Sequence, residues 1–147
     1  MSRWLGLGTH KICAAMKNKH VKRLVILSSM GMGDDFMPFK GIRVLWAAML
    51  RTCLRSAWKD LQALEQYVEE SDLDYVLVRT VGIDPGTKKC GQWKLLHSRE
   101  DGALEIVISK SDVALFMMKE ALTPSLHRSA VTIGTDPNLK NTNNSKT

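Results

Sequence analysis

Hydrophobic residues are concentrated in short runs and in helical stripes, and turn-forming residues separate them. Residues 21–28 and 74–79 are runs rich in Val, Leu and Ile without polar alternation. Such runs are typical of strands that are covered on both faces, as in a parallel sheet. Three shorter segments, 92–96, 104–108 and 130–133, are also expected to be extended.

Two segments have the spacing of amphipathic helices. The first is predicted over residues 9–19 with Thr9 as its N-cap, and the second over 111–122 with Ser111 as its N-cap. Pro124 prevents the second helix from continuing. The side chains expected to face the core are Ile12, Ala15 and Met16 in the first helix and Val113, Phe116, Met117 and Ala121 in the second.

Residues 41–71 are helical in character, but their pattern does not describe a single helix. Residues 44–54 are apolar nearly all round, whereas the part that follows has a clear hydrophobic stripe. Asp60 and Glu65 fall outside that stripe, and we interpret them as helix-surface groups. The stripe consists of Ala57, Leu61, Leu64 and Val68.

The order strand, helix, strand, extended pair, helix, strand favours an α/β fold with a parallel sheet. We expect one domain over residues 1–135, followed by a disordered polar tail over 136–147. The loop over 30–41 is longer than a structural connection requires, and long loops that follow strands often carry function.

Composition and spacing exclude several classes of protein. The 147 residues are 44% hydrophobic and 24% charged, which is ordinary for a globular domain. No run approaches the roughly 20 apolar residues of a membrane-spanning helix. Cys13, Cys53 and Cys90 form no CxxC pair and the histidines share no metal-binding spacing, so we expect neither disulfides nor a metal site. The expected setting is the reducing cytoplasm.

The net charge of +6 is unevenly distributed. Residues 1–59 contain eleven Lys and Arg against Asp34 and Asp35, whereas residues 60–147 contain ten against thirteen acids. A basic half is compatible with an anionic surface, a phosphorylated cofactor or an acidic neighbouring segment. Because no aromatic residues interleave the basic ones, nucleic acid is disfavoured as a partner. A basic ridge, which suits either solvent or an anionic surface, consists of Arg51, Arg55 and Lys59.

The candidate site follows from the ends of the two long strands, because ligands of doubly wound sheets gather beyond the carboxyl ends. Ser28 and Ser29 follow the first strand, and residues 80–82 follow the second. A serine hydroxyl there could donate a hydrogen bond to a ligand, and Gly31 would let the backbone approach it closely. The alternative is that the serines merely end the strand, and composition alone favours that simpler interpretation.

Four segments carry a resemblance to a known family: THKICAAMK at 9–17, VKRLVILSSMG at 21–31, ESDLDYVLVR at 70–79 and ISKSDVALFM at 108–117. In their order and spacing the chain resembles the C-terminal half of atypical short-chain dehydrogenases/reductases with an NmrA-like NAD(P)H-binding domain. It is most similar to the biliverdin-IXβ reductase/flavin reductase type. The resemblance implies a partial Rossmann-like parallel sheet with flanking helices, which lacks the N-terminal strand, glycine-rich loop and helix.

The resemblance also implies a chemistry and a set of residues. Members of this family use NADP or NAD to deliver hydride to a flavin, a linear tetrapyrrole or a quinone. By position, Ser29 is the catalytic candidate and would orient the nicotinamide and the acceptor by hydrogen bonding. The loop over 30–41 would form part of the acceptor pocket. The residues expected to contact the cofactor are Ser28, Ser29, Met30, Thr80, Val81, Gly82 and Ile83.

The sequence departs from the family in ways that bear on cofactor binding. It contains no GxxGxxG motif, the element whose helix N-terminus holds a pyrophosphate. Gly6-Leu7-Gly8 and Gly31-Met32-Gly33 are poor substitutes, since no strand precedes the first and two carboxylates follow the second. No Tyr-x-x-x-Lys pair is present, and Thr80 stands where many relatives have proline. We therefore expect a truncated form with impaired cofactor binding.

Three hypotheses remain open at this point. The chain is the acceptor side of an NAD(P)H-dependent reductase, or a non-catalytic scaffold derived from that fold, or a protein whose basic half binds an anionic surface. Truncation would also leave the strand over 21–28 with an unpaired hydrophobic edge, which favours self-association and marginal stability.

Overall fold

In the computed structural model, the described residues are 4–32, 52, 55–84, 93–97, 104–105 and 107–137. Three of the sequence predictions concern residues outside this set: the loop beyond residue 32, nearly all of 44–54, and the tail beyond 137. The elements are α1 (Trp4–Asn18), β1 (Arg23–Ser29), α2 (Arg55–Glu69), β2 (Asp74–Thr80), β3 (Gly82–Asp84), β4 (Trp93–Leu96), β5 (Val107–Ser109), α3 (Lys110–Leu122) and β6 (Ser129–Thr135).

The main sheet has the strand order β1-β2-β6-β4. β1, β2 and β6 are mutually parallel, and β4 runs antiparallel to β6. A second small sheet pairs β3 with β5 in parallel. The α/β fold with a parallel sheet is confirmed. The predicted extended segments over 92–96 and 104–108 contribute to different sheets, because β4 pairs with β6 while β5 pairs with β3.

Helices cover both faces of the main sheet, which explains why its strands show no polar alternation. On β2, Val76 and Val78 belong to the core cluster that contains residues of α3, while Tyr75 and Leu77 belong to the cluster that contains residues of α2. Successive side chains of a strand point to opposite faces, so α3 lies on one side of the sheet and α2 on the other. Among the described strands none pairs with the outer side of β1, where Leu27 is 39% exposed.

Helix α1 begins at Trp4, so the prediction that Thr9 caps it is wrong. The Thr9 hydroxyl instead donates to the carbonyl of Leu5 over 2.8 Å, and the side chain is buried. The predicted stripe is also wrong, since Ile12 is 51% exposed. The helix packs on α2 through small residues: a Cβ at Gly6 would lie 2.7 Å from the Ala63 Cβ. Hydrophobic spacing does not reveal such a contact.

Helix α1 ends in a left-handed residue. His20 has φ 57°, the Val21 amide donates to the carbonyl of Met16 over 2.9 Å, and the His20 amide donates to that of Lys17 over 3.2 Å. These two bonds are those of the Schellman ending, in which glycine is the usual left-handed residue.

The N-cap of helix α3 lies two residues earlier than predicted. Ser109, not Ser111, is the N-cap, and its hydroxyl accepts from the Asp112 amide over 3.2 Å. The helix ends at Leu122, before Pro124, as predicted. Of the residues expected to face inward, Val113 and Phe116 are buried and Met117 is half-buried, but Ala121 is exposed.

Candidate functional site

The sheet brings the predicted site residues together at one edge. In the register of β1 and β2, Ser28 lies opposite Arg79 and Ser29 lies opposite Thr80. The Met30 amide donates to the carbonyl of Thr80 over 3.0 Å, so the two strands remain joined one residue beyond β1. The carboxyl ends of both strands therefore form a continuous rim.

The chain that follows β2 forms the outer part of this rim. Val81 is buried, and its amide approaches the carbonyl of Ile133 at 3.4 Å. Gly82 and Ile83 are exposed, although their backbone pairs with β5. Backbone groups and one exposed apolar side chain are thus presented beyond the end of β2.

The turn after β1 depends on a glycine. Gly31 has φ 84°, a left-handed conformation that disfavours residues with a Cβ. It lies between Met30 and Met32, which are 5% and 1% exposed. A positive φ at Gly31 thus lets the chain turn away from the strand with both methionines in the core.

The three hydroxyl groups of the rim differ in their hydrogen bonds. Ser28 donates to the Glu65 carboxylate over 2.6 Å and is buried. Thr80, also buried, approaches the carbonyl of Ser28 at 3.5 Å. Ser29 is half-buried, and its only hydrogen bond in the described structure is a long one of 3.4 Å to the carbonyl of Met30. Ser29 is therefore the hydroxyl best able to turn to a ligand.

Glu65 and Arg79 form a buried ion pair beneath the rim. Arg79 Nε donates to Glu65 Oε1 over 3.0 Å, and an Arg79 terminal nitrogen donates to Oε2 over 2.7 Å. Both residues are 5% exposed, so the prediction that Glu65 is a helix-surface group is wrong. The signal was present in Arg79, because a charge within a buried strand requires a partner.

Burial acts on both members of the pair. It raises the pKa of the Glu65 carboxyl to about 7, although the hydrogen bond from Ser28 lowers it. Burial also lowers the pKa of the Arg79 guanidinium. The bidentate contact opposes both shifts, because each charge stabilises the other.

A second polar cluster lies at the amino edge of the sheet. Arg23 donates to the Asp74 carboxylate over 2.9 Å, to the carbonyl of Leu126 over 2.8 Å and to the Glu120 carboxylate over 3.2 Å. Glu120 is 2% exposed and also accepts from Ser125 and Leu126. These bonds attach the end of α3 to the start of β1 and β2.

A cleft of about 530 Å³ also lies at the amino edge, away from the predicted site. It opens between α1, α2 and the residues that precede β1 and β2. Its lining mixes both signs of charge with aromatic and small side chains, so no single ligand class is indicated. The lining includes His10, Cys13, Lys17, Lys22, Tyr67 and Asp72.

Other kinds of site find no support in the described part of the chain. It contains no group of three or more His, Cys, Asp or Glu side chains able to hold a metal ion. None of its helices is long and apolar enough to cross a membrane. Gly6 and Gly8 lie inside α1, so they do not form a phosphate-binding loop between a strand and a helix.

Asp60, expected on the surface, is half-buried and accepts from the Leu5 amide over 3.2 Å near the start of α1.

The parallel sheet with helices on both faces and a polar rim at the carboxyl ends of its strands defines a Rossmann-like α/β protein. Residues 3–124 match the NAD(P)H-binding family. The chain therefore belongs to the NAD(P)H-binding family, which confirms the NAD(P)H-binding domain that the resemblance implies. No curated protein matches the chain by sequence.

Solved structures share this fold. A wide-type short-chain dehydrogenase/reductase from Veillonella parvula DSM 2008, in complex with NADP, has 18% identity and a TM-score of 0.73 over 92% of this chain and 60% of that one. ChuY, an anaerobillin reductase from Escherichia coli O157:H7, has 20% identity and a TM-score of 0.71 over 91% and 60%. The oxidoreductase ylbE from Lactococcus lactis has 15% identity and a TM-score of 0.66 over 88% and 53%.

These likenesses show the fold alone, because the sequence identities are too low to carry a function over to this chain. The chain spans 60% of the length of the first relative and 53% of the last. The partial character of the Rossmann-like sheet is consistent with that coverage.

Proposed function

We propose that the chain is an NAD(P)H-dependent oxidoreductase-like protein of the flavin, biliverdin or quinone reductase type. In this proposal the rim formed by Ser28, Ser29 and Met30 on one strand end and residues 80–83 on the other faces the nicotinamide and a planar acceptor. The observation that carries it is the Ser29 hydroxyl, which has only a 3.4 Å bond and stands opposite Thr80.

The residues of the rim suit this role. A reduced nicotinamide supplies a hydride when bound, and a proton from solvent completes the two-electron reduction of the acceptor. Ser29 would donate a hydrogen bond that orients the reacting groups, and the exposed backbone at Gly82 would allow close approach. Ser28 would contribute through its backbone, because its hydroxyl is donated to Glu65. The relatives, one with NADP and one an anaerobillin reductase, support the same class of reaction.

We further propose that cofactor binding by this chain is weak and that the chain acts in the cytoplasm. The sequence contains no GxxGxxG motif, so the pyrophosphate would lack the helix N-terminus that usually holds it. The three cysteines have no pairing pattern, which suits a reducing compartment.

The second candidate function is a non-catalytic scaffold, and it is favoured by that same missing motif. In this case the outer side of β1, which no described strand covers, would pair with another chain. Light scattering of the purified chain tests this part: a dimer or larger assembly is expected, and a monodisperse monomer at high concentration would oppose it.

The experiment that tests the reductase proposal is a titration of the purified chain with NADPH. Ligand fluorescence should saturate and the melting temperature should rise, since a ligand that binds only the folded state stabilises it. Ser29→Ala should weaken binding or flavin reduction. Ser71→Ala is the control, because that serine bonds to the carbonyl of Val68 near the opposite edge. A folded chain that binds no NADPH would reject the reductase and leave the scaffold.

A further inference from the structure

The Glu65 side chain joins the two strands that form the rim. Its Oε1 accepts from Ser28 of β1 over 2.6 Å and from Arg79 of β2 over 3.0 Å. Its Oε2 accepts from Arg79 over 2.7 Å. One carboxylate from α2 therefore holds residues of two adjacent strands at the same height.

The position of this contact relates it to the candidate site. Ser28 and Arg79 are directly opposite each other, and each is followed at once by a rim residue, Ser29 or Thr80. Successive side chains of a strand point to opposite faces of the sheet. The Glu65 carboxylate therefore binds Ser28 and Arg79 on the face that α2 covers, whereas Ser29 and Thr80 point to the other face. A shift of β1 against β2 would separate the Ser29 hydroxyl from the backbone after Thr80.

Stability alone does not account for such a pair. Removing two charges from water is costly, and well-packed apolar residues often replace a buried ion pair without loss. The rest of β2 is largely apolar, from Tyr75 to Val78, so an apolar residue at position 79 would suit the strand. The pair is therefore weak evidence of a gain in stability.

We infer that Glu65 is a positioning residue, which aligns Ser29 with the backbone after Thr80 by binding Ser28 and Arg79 together. This inference rests on the proposed function for its consequence, a site shaped to receive the nicotinamide. The alignment itself is a property of the protein without ligand and can be measured separately.

The chain offers a matched control at the other edge of the same two strands. Glu120 is as buried as Glu65 and also binds an arginine, Arg23. One backbone bond joins β1 and β2 at each edge: the Met30 amide donates to Thr80 at the rim, and the Asp74 amide donates to Lys22 at the amino edge. Exchange of the Met30 amide therefore reports on the edge held by Glu65, and exchange of the Asp74 amide reports on the edge held by Glu120.

The test compares amide hydrogen exchange in Glu65→Gln and Glu120→Gln. Glu65→Gln should lower protection of the Met30 amide by about tenfold more than that of the Asp74 amide, as expected for a weakened hydrogen bond. Glu120→Gln should show the opposite order. Equal loss at both amides in both variants would mean general destabilisation and would overturn the inference. Ser28→Ala, a milder change, serves if Glu65→Gln does not fold.

A double variant separates geometry from stability. Glu65→Leu with Arg79→Met removes both charges of the pair, so it should recover part of the free energy of unfolding that Glu65→Gln loses. Protection of the Met30 amide should stay low, and its full recovery would overturn the inference.

NADPH binding is measured on the same proteins. If wild type binds, Glu65→Gln should raise Kd by about tenfold, the effect of one weakened hydrogen bond, whereas Glu120→Gln should leave it nearly unchanged. Equal rises in both variants would contradict positioning. If wild type does not bind, the proposed function fails, while the exchange data still decide whether Glu65 aligns the rim.

Discussion

Replacing Ser28 with alanine removes one hydrogen bond and leaves the rest of the rim in place. The Ser28 hydroxyl donates to Glu65 over 2.6 Å, and both residues are 5% exposed. A hydrogen bond to a charged group contributes about 1.5–3 kcal/mol when its partner is otherwise left buried. We expect Ser28→Ala to lower the free energy of unfolding by about that amount, which is roughly 3–12 °C in Tm for a chain of this size.

The loss should depend on pH. Burial raises the pKa of Glu65 in the folded chain to about 7, from an ordinary value of 4.5. Between these values burial makes the folded chain hold more protons than the unfolded chain, so the free energy of unfolding falls as pH rises, and the contact with Arg79 reduces the size of this fall. The lost hydrogen bond favoured the carboxylate, so the variant raises the folded pKa further. Its deficit should be larger at about pH 8 than at about pH 5.

The assay is urea unfolding of wild type, Ser28→Ala and Ser29→Ala at both pH values. Ser29 makes only a 3.4 Å bond and is half-buried, so Ser29→Ala is the matched control. We expect it to change the free energy of unfolding by less than about 0.5 kcal/mol. An equal loss in the two serine variants, or a deficit in Ser28→Ala that does not change with pH, would refute the reasoning.

Three further predictions concern the helices. In urea unfolding, Gly6→Ala should lower the free energy of unfolding by about 1–3 kcal/mol, because the new Cβ would lie 2.7 Å from that of Ala63. Gly8→Ala should raise the free energy of unfolding by about 1 kcal/mol, because its Cβ would meet nothing within 4 Å. His20→Gly should raise the free energy of unfolding by about 1 kcal/mol, since φ there is 57°; a loss would contradict the Schellman ending. Burial alone would raise the pKa of Glu120, but hydrogen bonds and the charge of Arg23 lower this pKa overall. Glu120 therefore stabilises the fold at pH values above its ordinary pKa of 4.5. This contribution is lost as pH falls through the pKa of the folded chain. Glu120→Gln should therefore cost about 3 kcal/mol near pH 7 and progressively less in acid unfolding experiments.

The strands were the most predictable part of the molecule. β1 and β2 are covered on both faces, so their sequences are continuous apolar runs that few other structures tolerate. Helix α1 was less predictable because its contact with α2 uses Gly6 and Thr9. A glycine and a threonine carry no hydrophobic signal, so the pattern placed the start of the helix and its inner face incorrectly.

The sequence predicts that the candidate residues lie at adjacent strand ends, but it does not predict the contacts of each side chain. Strand ends and family resemblance brought Ser28, Ser29 and Thr80 together, and the register of β1 and β2 joins them. The sequence could not distinguish Ser28 from Ser29, since a strand without alternation does not show which side chain faces α2. Glu65 was missed because a carboxylate beside a helical stripe usually faces solvent, and only the tertiary structure brings it to Arg79.

In the proposed function the rim after β1 and β2 receives the nicotinamide, and amide hydrogen exchange with and without NADPH tests this proposal most directly. We expect added protection at Ser29, Met30, Val81 and Gly82, with the cleft near Tyr67 unchanged. Added protection at that cleft, or none anywhere in a folded chain at high NADPH concentration, would contradict the account.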